Sequence, residues 1–184
     1  MTAAALLDLG ADQKGLYQAL ESLGVDGYRL ECGRTVKQGI RAYDFNVILD
    51  SDDPHIYSHG HSHEHSHRNL ADVTEIIQRG KLTPQAKELA LAIFKRVALA
   101  EAKVHGKPLE EVHFHEVGAI DSIIDIVTAA FCIDNLGIEK VYCSPLSEGT
   151  GMVRCAHGLM PVPAPATAEI AAAGGLSLQI TEEQ

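Results

Sequence analysis

The chain has 184 residues, of which 46% are hydrophobic, and its formal net charge at pH 7 is -10. A chain of this length can bury a core and is expected to form a single domain over residues 1–184. The acidic balance, without a basic stripe, argues against nucleic acid or an anionic membrane as a partner, and no apolar run approaches the ~20 residues of a membrane helix.

The cysteines are widely spaced along the chain and form no CxxC pair. They are Cys32, Cys132, Cys143 and Cys155. This spacing argues against a zinc ribbon and a disulfide framework, so free thiols are expected. Because the first residues also lack a charged region and a cleavage site, we predict a cytoplasmic protein.

The first fifty residues predict two helices followed by a β-hairpin. Residues 2–9 and 12–23 have helical patterns, and each segment is followed by a glycine, a residue common at helix ends. Residues 28–37 and 40–49 are rich in β-branched and aromatic side chains. The Gln-Gly dipeptide between them suits a tight turn, which indicates an antiparallel pair of strands.

Residues 51–68 differ from the rest of the chain because they carry histidine at alternate positions among Ser, Gly and Glu. The repeated histidines are His59, His61, His63, His65 and His67. Without an apolar face the segment is predicted to be a disordered loop, and its imidazoles could converge on Ni²⁺ or Zn²⁺. A solvated linker and a purification tag are the alternatives, although the interior position and the spacers disfavour a tag.

Two helices are expected to follow this segment. Asn69 can cap a helix that runs through Gln78, and Thr83, followed by proline, starts a longer one. Extension of the apolar stripe of the longer helix places Glu101 on its buried side and His105 at the edge. This predicts an acid and imidazole pair near the end of the helix, with an ordinary i,i+4 surface pair as the alternative.

A short stretch with two histidines is the strongest candidate for a site. If residues 112–116 form a strand, His113 and His115 point to one face because side chains alternate. Glu116 then lies on the opposite face, and a surface position is the simpler explanation for it. Two imidazoles on one face can bind a metal together.

The helix expected at residues 119–136 is apolar on most sides, which indicates that it is buried. Its polar residues Asp121, Asp125 and Thr128 form one narrow stripe. Buried carboxylates cost free energy unless a cation meets them, so a metal between this stripe and the histidines would supply compensation. The ligand types suit nickel, zinc or cobalt, while a helix cap is the alternative role for Asp121.

The remainder of the chain predicts short elements. They are a strand at 140–143, a Ser/Gly-rich loop at 144–151, a hairpin that pairs 152–155 with 159–162 around His157, a helix from 167 to 173 and a strand at 176–180. A helix between two strands would form a βαβ unit. We therefore expect an α/β fold, with α+β as the alternative, built as a mixed sheet with flanking helices and a β-hairpin.

Three segments carry a resemblance to a known family. Residues 112–126, together with 100–106 and 156–167, resemble the LarC family of nickel-insertion proteins, and a histidine-rich insertion is typical of that family. The resemblance covers most of the chain. It implies that the chain corresponds to the N-terminal portion of the family, without its usual first strand and without the C-terminal region that is associated with CTP.

The resemblance implies a nickel chelatase, or cyclometallase, of the lyase class. It would insert Ni²⁺ into pyridinium-3,5-bisthiocarboxylate mononucleotide in a CTP-dependent reaction, and the product would serve lactate racemase. CTP, with Mg²⁺ or Mn²⁺, would act through the C-terminal half of the family protein, which becomes a partner. Homo-oligomer formation and the activity of the chain by itself stay open.

The candidate residues fall into two groups. The predicted catalytic residues are His113, His115, Asp121 and Asp125, one of which could accept the pyridinium ring proton as a general base. The predicted metal ligands are the five alternate histidines of the loop together with Glu101, His105, His113, His115 and Glu116. Nickel storage without catalysis and a metal-dependent hydrolase are the alternatives, but the chain has no G-x-S-x-G motif, no P-loop and no predicted helix that carries H-E-x-x-H.

Overall fold

The structure is a computed structural model that describes residues 1–50, 68–114, 118–155 and 158–181. The predictions for the histidine-rich loop, for His115 and Glu116, and for His157 lie outside the described residues. No helix in the described ranges is both long and apolar enough to cross a membrane.

The described chain contains six α-helices and six β-strands. The helices are α1 (Thr2–Asp8), α2 (Gln13–Glu21), α3 (Leu70–Arg79), α4 (Pro84–His105), α5 (Ile120–Asn135) and α6 (Pro165–Ala173). The strands are β1 (Tyr28–Lys37), β2 (Ile40–Leu49), β3 (Leu146–Glu148), β4 (Met152–Cys155), β5 (Gly158–Pro161) and β6 (Leu178–Ile180). The mixed α/β class is therefore confirmed.

The strands associate as three two-stranded sheets within the described ranges, and not as one mixed sheet. Strands β1 and β2 are antiparallel, as are β4 and β5, whereas β3 and β6 are parallel. The turn between β1 and β2 places Gln38 and Gly39 at φ 52° and 80°. Two successive left-handed residues are typical of the type I′ turn, so the predicted first hairpin is confirmed.

Helices α3 and α4 begin at the predicted caps. The Asn69 side chain accepts hydrogen bonds from the backbone of Ala71 and Asp72, and the Asp72 carboxylate accepts one from the Asn69 amide, which makes a capping box. The Thr83 hydroxyl accepts a hydrogen bond from the Ala86 amide. Gly106, at φ 61°, ends α4 in the left-handed conformation that glycine adopts without strain.

The core lies between the first five helices, with the hairpin of β1 and β2 packed on one side. Its fully buried large side chains include Leu16, Leu20, Leu23, Val73, Ile77, Phe94, Ile123, Ile124 and Val127. The rings of Phe94 and Phe114 are tilted at 56° with centroids 6.0 Å apart. This pair anchors the chain that leaves α4 against the core.

Three sequence expectations for local structure were wrong. Residues 112–114 make only a single antiparallel bridge, between His113 and Asn69, after a 3-10 turn at Leu109–Glu111. Residues 140–143 form no strand with the described residues, so the expected βαβ unit is absent from that part. Conversely, the predicted loop at 144–151 contains β3, which β6 stabilises by parallel pairing.

Candidate functional site

Glu101 and His105 form the predicted acid and imidazole pair at the end of α4. His105 Nε2 lies 3.2 Å from Glu101 Oε2, and the two side chains are 26% and 20% exposed. Helical spacing places residues four apart on one face, and Gly106 ends the helix directly after His105. The pair is therefore largely covered by neighbouring atoms, unlike an ordinary surface pair.

His105 and His113 line the same small cavity. Lys107, Glu111 and Val112 complete its lining, and its volume is about 30 Å³. A space of this size holds a water molecule or a single ion and excludes an organic ligand. The structure thus brings together two of the predicted imidazoles, which come from the end of α4 and from the segment that follows it.

His113 is exposed, whereas its neighbours Val112 and Phe114 are each only 3% exposed. The predicted alternation of side chains therefore holds over these three residues even though no regular strand forms. The buried neighbours fix the backbone, and the imidazole is left on the outer side. This arrangement keeps His113 accessible to a ligand from solvent.

Arg68 contacts the backbone of two residues that follow His113, namely Phe114 and Gly118. Its carbonyl accepts a hydrogen bond of 2.9 Å from the Phe114 amide, and its Nη1 donates one of 2.8 Å to the Gly118 carbonyl. A Cβ atom at Gly118 would lie 2.8 Å from Phe114 Cβ and 3.3 Å from the Arg68 carbonyl, so this close approach requires glycine. The residue next to the histidine-rich segment is thereby fixed beside the candidate site.

Asp121 and Asp125 form a second pair of candidates, in the first turns of α5. Asp121 is half-buried and accepts a hydrogen bond from the Ser122 amide, while Asp125 is exposed. Desolvation raises the pKa of the Asp125 carboxyl, the N-terminal amino group opposes this effect, and Asp121 adds to it. Since the carboxylates are not deeply buried, the expectation that burial demands a compensating cation was wrong. Their catalytic role stays a prediction.

Thr128, the third member of the stripe, is fully buried, and its hydroxyl has no hydrogen-bond partner in the described part of the chain. The stripe therefore runs from solvent into the core. It does not line one polar site along its whole length.

The described residues contain no group of three or more His, Cys, Asp and Glu side chains with the arrangement of a metal site. The nearest arrangement is the cavity that His105 and His113 share, with Glu101 beside His105. The other predicted metal ligands, His59, His61, His63, His65, His67, His115 and Glu116, lie outside the described ranges.

Sequence reasoning missed four residues of this region. Arg68 and Gly118 position the backbone, and Lys107 and Glu111 line the cavity. Gly118 lies three residues after the predicted histidine pair, and a glycine at this position was a visible signal that two stretches of backbone pass close to each other. No periodic pattern marked Lys107 or Glu111, because they lie between regular elements.

Comparison with known proteins gives a consistent result over the whole chain. Residues 1–184 match the nickel insertion protein family. The pyridinium-3,5-bisthiocarboxylic acid mononucleotide nickel insertion protein of Alkaliphilus metalliredigens is 48% identical over 188 residues, which cover 99% of this chain and 45% of that protein.

Proteins of the same name from Akkermansia muciniphila and Geobacillus kaustophilus are 47% and 44% identical. Their matches cover 93% and 92% of this chain, and 41% of each relative. The chain thus spans less than half of the length of these relatives. No solved structure gave a significant match. On the family match and these identities, the chain belongs to the nickel insertion protein family.

Proposed function

We propose that this chain is the nickel-binding N-terminal module of a protein that inserts Ni²⁺ into pyridinium-3,5-bisthiocarboxylic acid mononucleotide. The names of the relatives supply the metal and the acceptor. The observation that carries the proposal for this chain is the cavity that His105 and His113 share. Neutral imidazole is a good ligand for nickel, and a single ion fits the space.

We propose a division of work within the module. The histidine-rich segment would collect nickel, and the cavity would receive it next to the bound acceptor. Glu101 contacts His105 at 3.2 Å and would orient its imidazole as a ligand. His115 and Glu116 follow directly after the cavity segment and are candidates to complete the ligand set.

The reaction also needs a base when nickel bonds to carbon, because the pyridinium ring gives up a proton. An imidazole or a carboxylate near the ring could accept this proton. Asp125, whose pKa is raised, is one candidate, and His113 and His115 are others. We propose that CTP, with Mg²⁺ or Mn²⁺, acts on the C-terminal half of the family protein and that catalysis requires this partner.

The three cysteines whose side chains are described, Cys32, Cys132 and Cys143, are free thiols. Free thiols are typical of a reducing compartment, which supports the predicted cytoplasmic location.

Calorimetry with nickel tests the two metal sites separately. We compare the intact chain with a variant in which the five alternate loop histidines are serine. The serine variant should lose the weak nickel sites of the loop and keep the single nickel site at the cavity. In that background, His105→Gln combined with His113→Gln should weaken the remaining site about tenfold or more. Lys95→Gln, an exposed change on the same helix, is the matched control and should leave it intact.

Absence of nickel binding to the loop variant would contradict the cavity site. Turnover then separates insertion from storage. The chain is mixed with the remaining part of a family protein, CTP and the thiocarboxylate acceptor, and formation of the nickel product is followed by absorbance. Nickel binding without any product would favour the storage alternative.

A further inference from the structure

The segment at residues 139–145 connects α5 to β3 and has an unusual environment. All seven residues are exposed, with Val141 and Tyr142 at 77% and 87%. The segment makes no backbone hydrogen bond with the other described residues. Its Lys-Val-Tyr-Cys sequence nevertheless has the composition of a strand.

Neither face of this segment is packed. Neighbouring side chains in an extended chain point to opposite sides, and here the neighbours Val141 and Tyr142 are both exposed. A strand with apolar residues on both sides is typical of a sheet that is covered on both faces. The isolated molecule thus exposes a strand sequence suited to the interior of a sheet.

The strand that follows is also incomplete. β3 has three residues and pairs in parallel with the three residues of β6, where Ile180 is 52% exposed. Parallel sheets normally contain more strands and are covered on both faces, and two short strands have little stability alone. Residues 139–145, which make no backbone hydrogen bond within the described ranges, thus lead directly into the short strand β3.

We propose that residues 139–148 are the docking edge for a β-strand that belongs to the part of the nickel insertion protein outside this chain. The relatives are longer than this chain, and the match leaves out more than half of each of them. That unmatched part is the source of the strand in this proposal. A second copy of this chain is a poorer occupant, since each copy carries a net charge of -10 and the two would repel.

Main-chain hydrogen bonds from the added strand would provide the pairing, and covering Val141 and Tyr142 would provide apolar stabilisation. The inference rests on the proposed function only in naming this partner. It concerns assembly, so it can be tested without nickel or turnover.

Cys143 lies within the edge and gives a direct measurement. The chain is treated with iodoacetamide, alone and with the portion of the Alkaliphilus metalliredigens relative outside the match supplied as separate polypeptides. Labelling of each cysteine is followed by peptide mass spectrometry. Docking should slow alkylation of Cys143 about tenfold or more and protect the amides of residues 139–145 from hydrogen exchange.

A matched pair of variants tests the edge itself. Val141→Asp should weaken binding of the added portion about tenfold, equivalent to about 1.4 kcal/mol. Val36→Asp, at a valine that is 64% exposed on β1, should have no such effect. Both positions are on the surface, so both variants are expected to fold.

Failure to bind, binding without protection of Cys143, or equal weakening by the two variants would overturn the proposal. Protection that rises with the concentration of this chain alone would also overturn it, in favour of a second copy. Nickel calorimetry on the same samples reports the proposed function independently of these results.

Discussion

At the level of single side chains, Thr128 combines complete burial with a hydroxyl that lacks a partner in the described ranges. An unpaired buried hydroxyl loses its hydration without gaining a hydrogen bond. We expect Thr128→Val, which keeps the shape, to raise the free energy of unfolding by about 1 kcal/mol in urea denaturation. Thr74→Val is the control, because the Thr74 hydroxyl donates to the Leu70 carbonyl at 2.7 Å and should not give a gain.

Asp125 predicts a pH dependence. The folded-state pKa of this carboxyl is raised above its ordinary value of 3.8, mainly by desolvation. The folded chain therefore binds this proton more tightly than the unfolded chain does. The stabilisation that this proton gives the folded chain is fully present below the unfolded pKa and is lost as pH rises through the folded pKa. Asp125→Asn should raise the Tm slightly at pH 7 and give no gain at about pH 3, below both pKa values. A Tm that falls at pH 7 would contradict this.

Some of the site could be predicted from single residues. Glu101 and His105 belong to one helix, so their spacing alone determined that they meet. The meeting of His105 with His113 depends on the 3-10 turn between them, which has no periodic signature. The burial of Asp121 and Asp125 was overestimated because the many apolar residues of α5 do not show which neighbours cover its polar stripe.

At the level of elements, Gly106 controls how α4 ends beside His105. Its φ of 61° is strained for any residue with a side chain, although an added Cβ would meet no atom within 4 Å in the described part of the chain beyond its sequence neighbours. We expect Gly106→Ala to lower the free energy of unfolding by about 1 kcal/mol in chemical denaturation. Gly149→Ala is the matched control, since that glycine also has open space around it but no left-handed φ.

The helices and the first hairpin were predicted well because their signals are local. Caps at Asn69 and Thr83 and the turn at Gln38 and Gly39 need no distant partner. Short strands depend on pairing instead. Residues 140–143 have strand composition without a partner in the described ranges, and β3 has weak strand composition but gains β6 across the sheet.

At the level of the whole molecule, the helical core and the C-terminal elements have different degrees of burial. The helices α1 to α5 enclose most of the fully buried side chains, whereas the region after α5 contributes Ala171 alone to the buried hydrophobic residues described. An ion pair of 2.7 Å between Lys103 and Glu169 links α6 to α4. The C-terminal elements therefore contribute little to the buried core and are held to it partly through the contact of α6 with α4.

The contact between Arg68 and Phe114 has a further consequence for the movement of nickel. Arg68 directly follows the histidine-rich segment in the sequence, and Phe114 directly follows His113, so their hydrogen bond holds Arg68 beside the segment that lines the cavity. Under the proposed function, a nickel ion bound by the histidine-rich segment next to Arg68 would have an effective concentration on the order of millimolar at the cavity. Nickel that the histidine-rich segment captures from a dilute pool would then pass to the cavity at a rate independent of that pool.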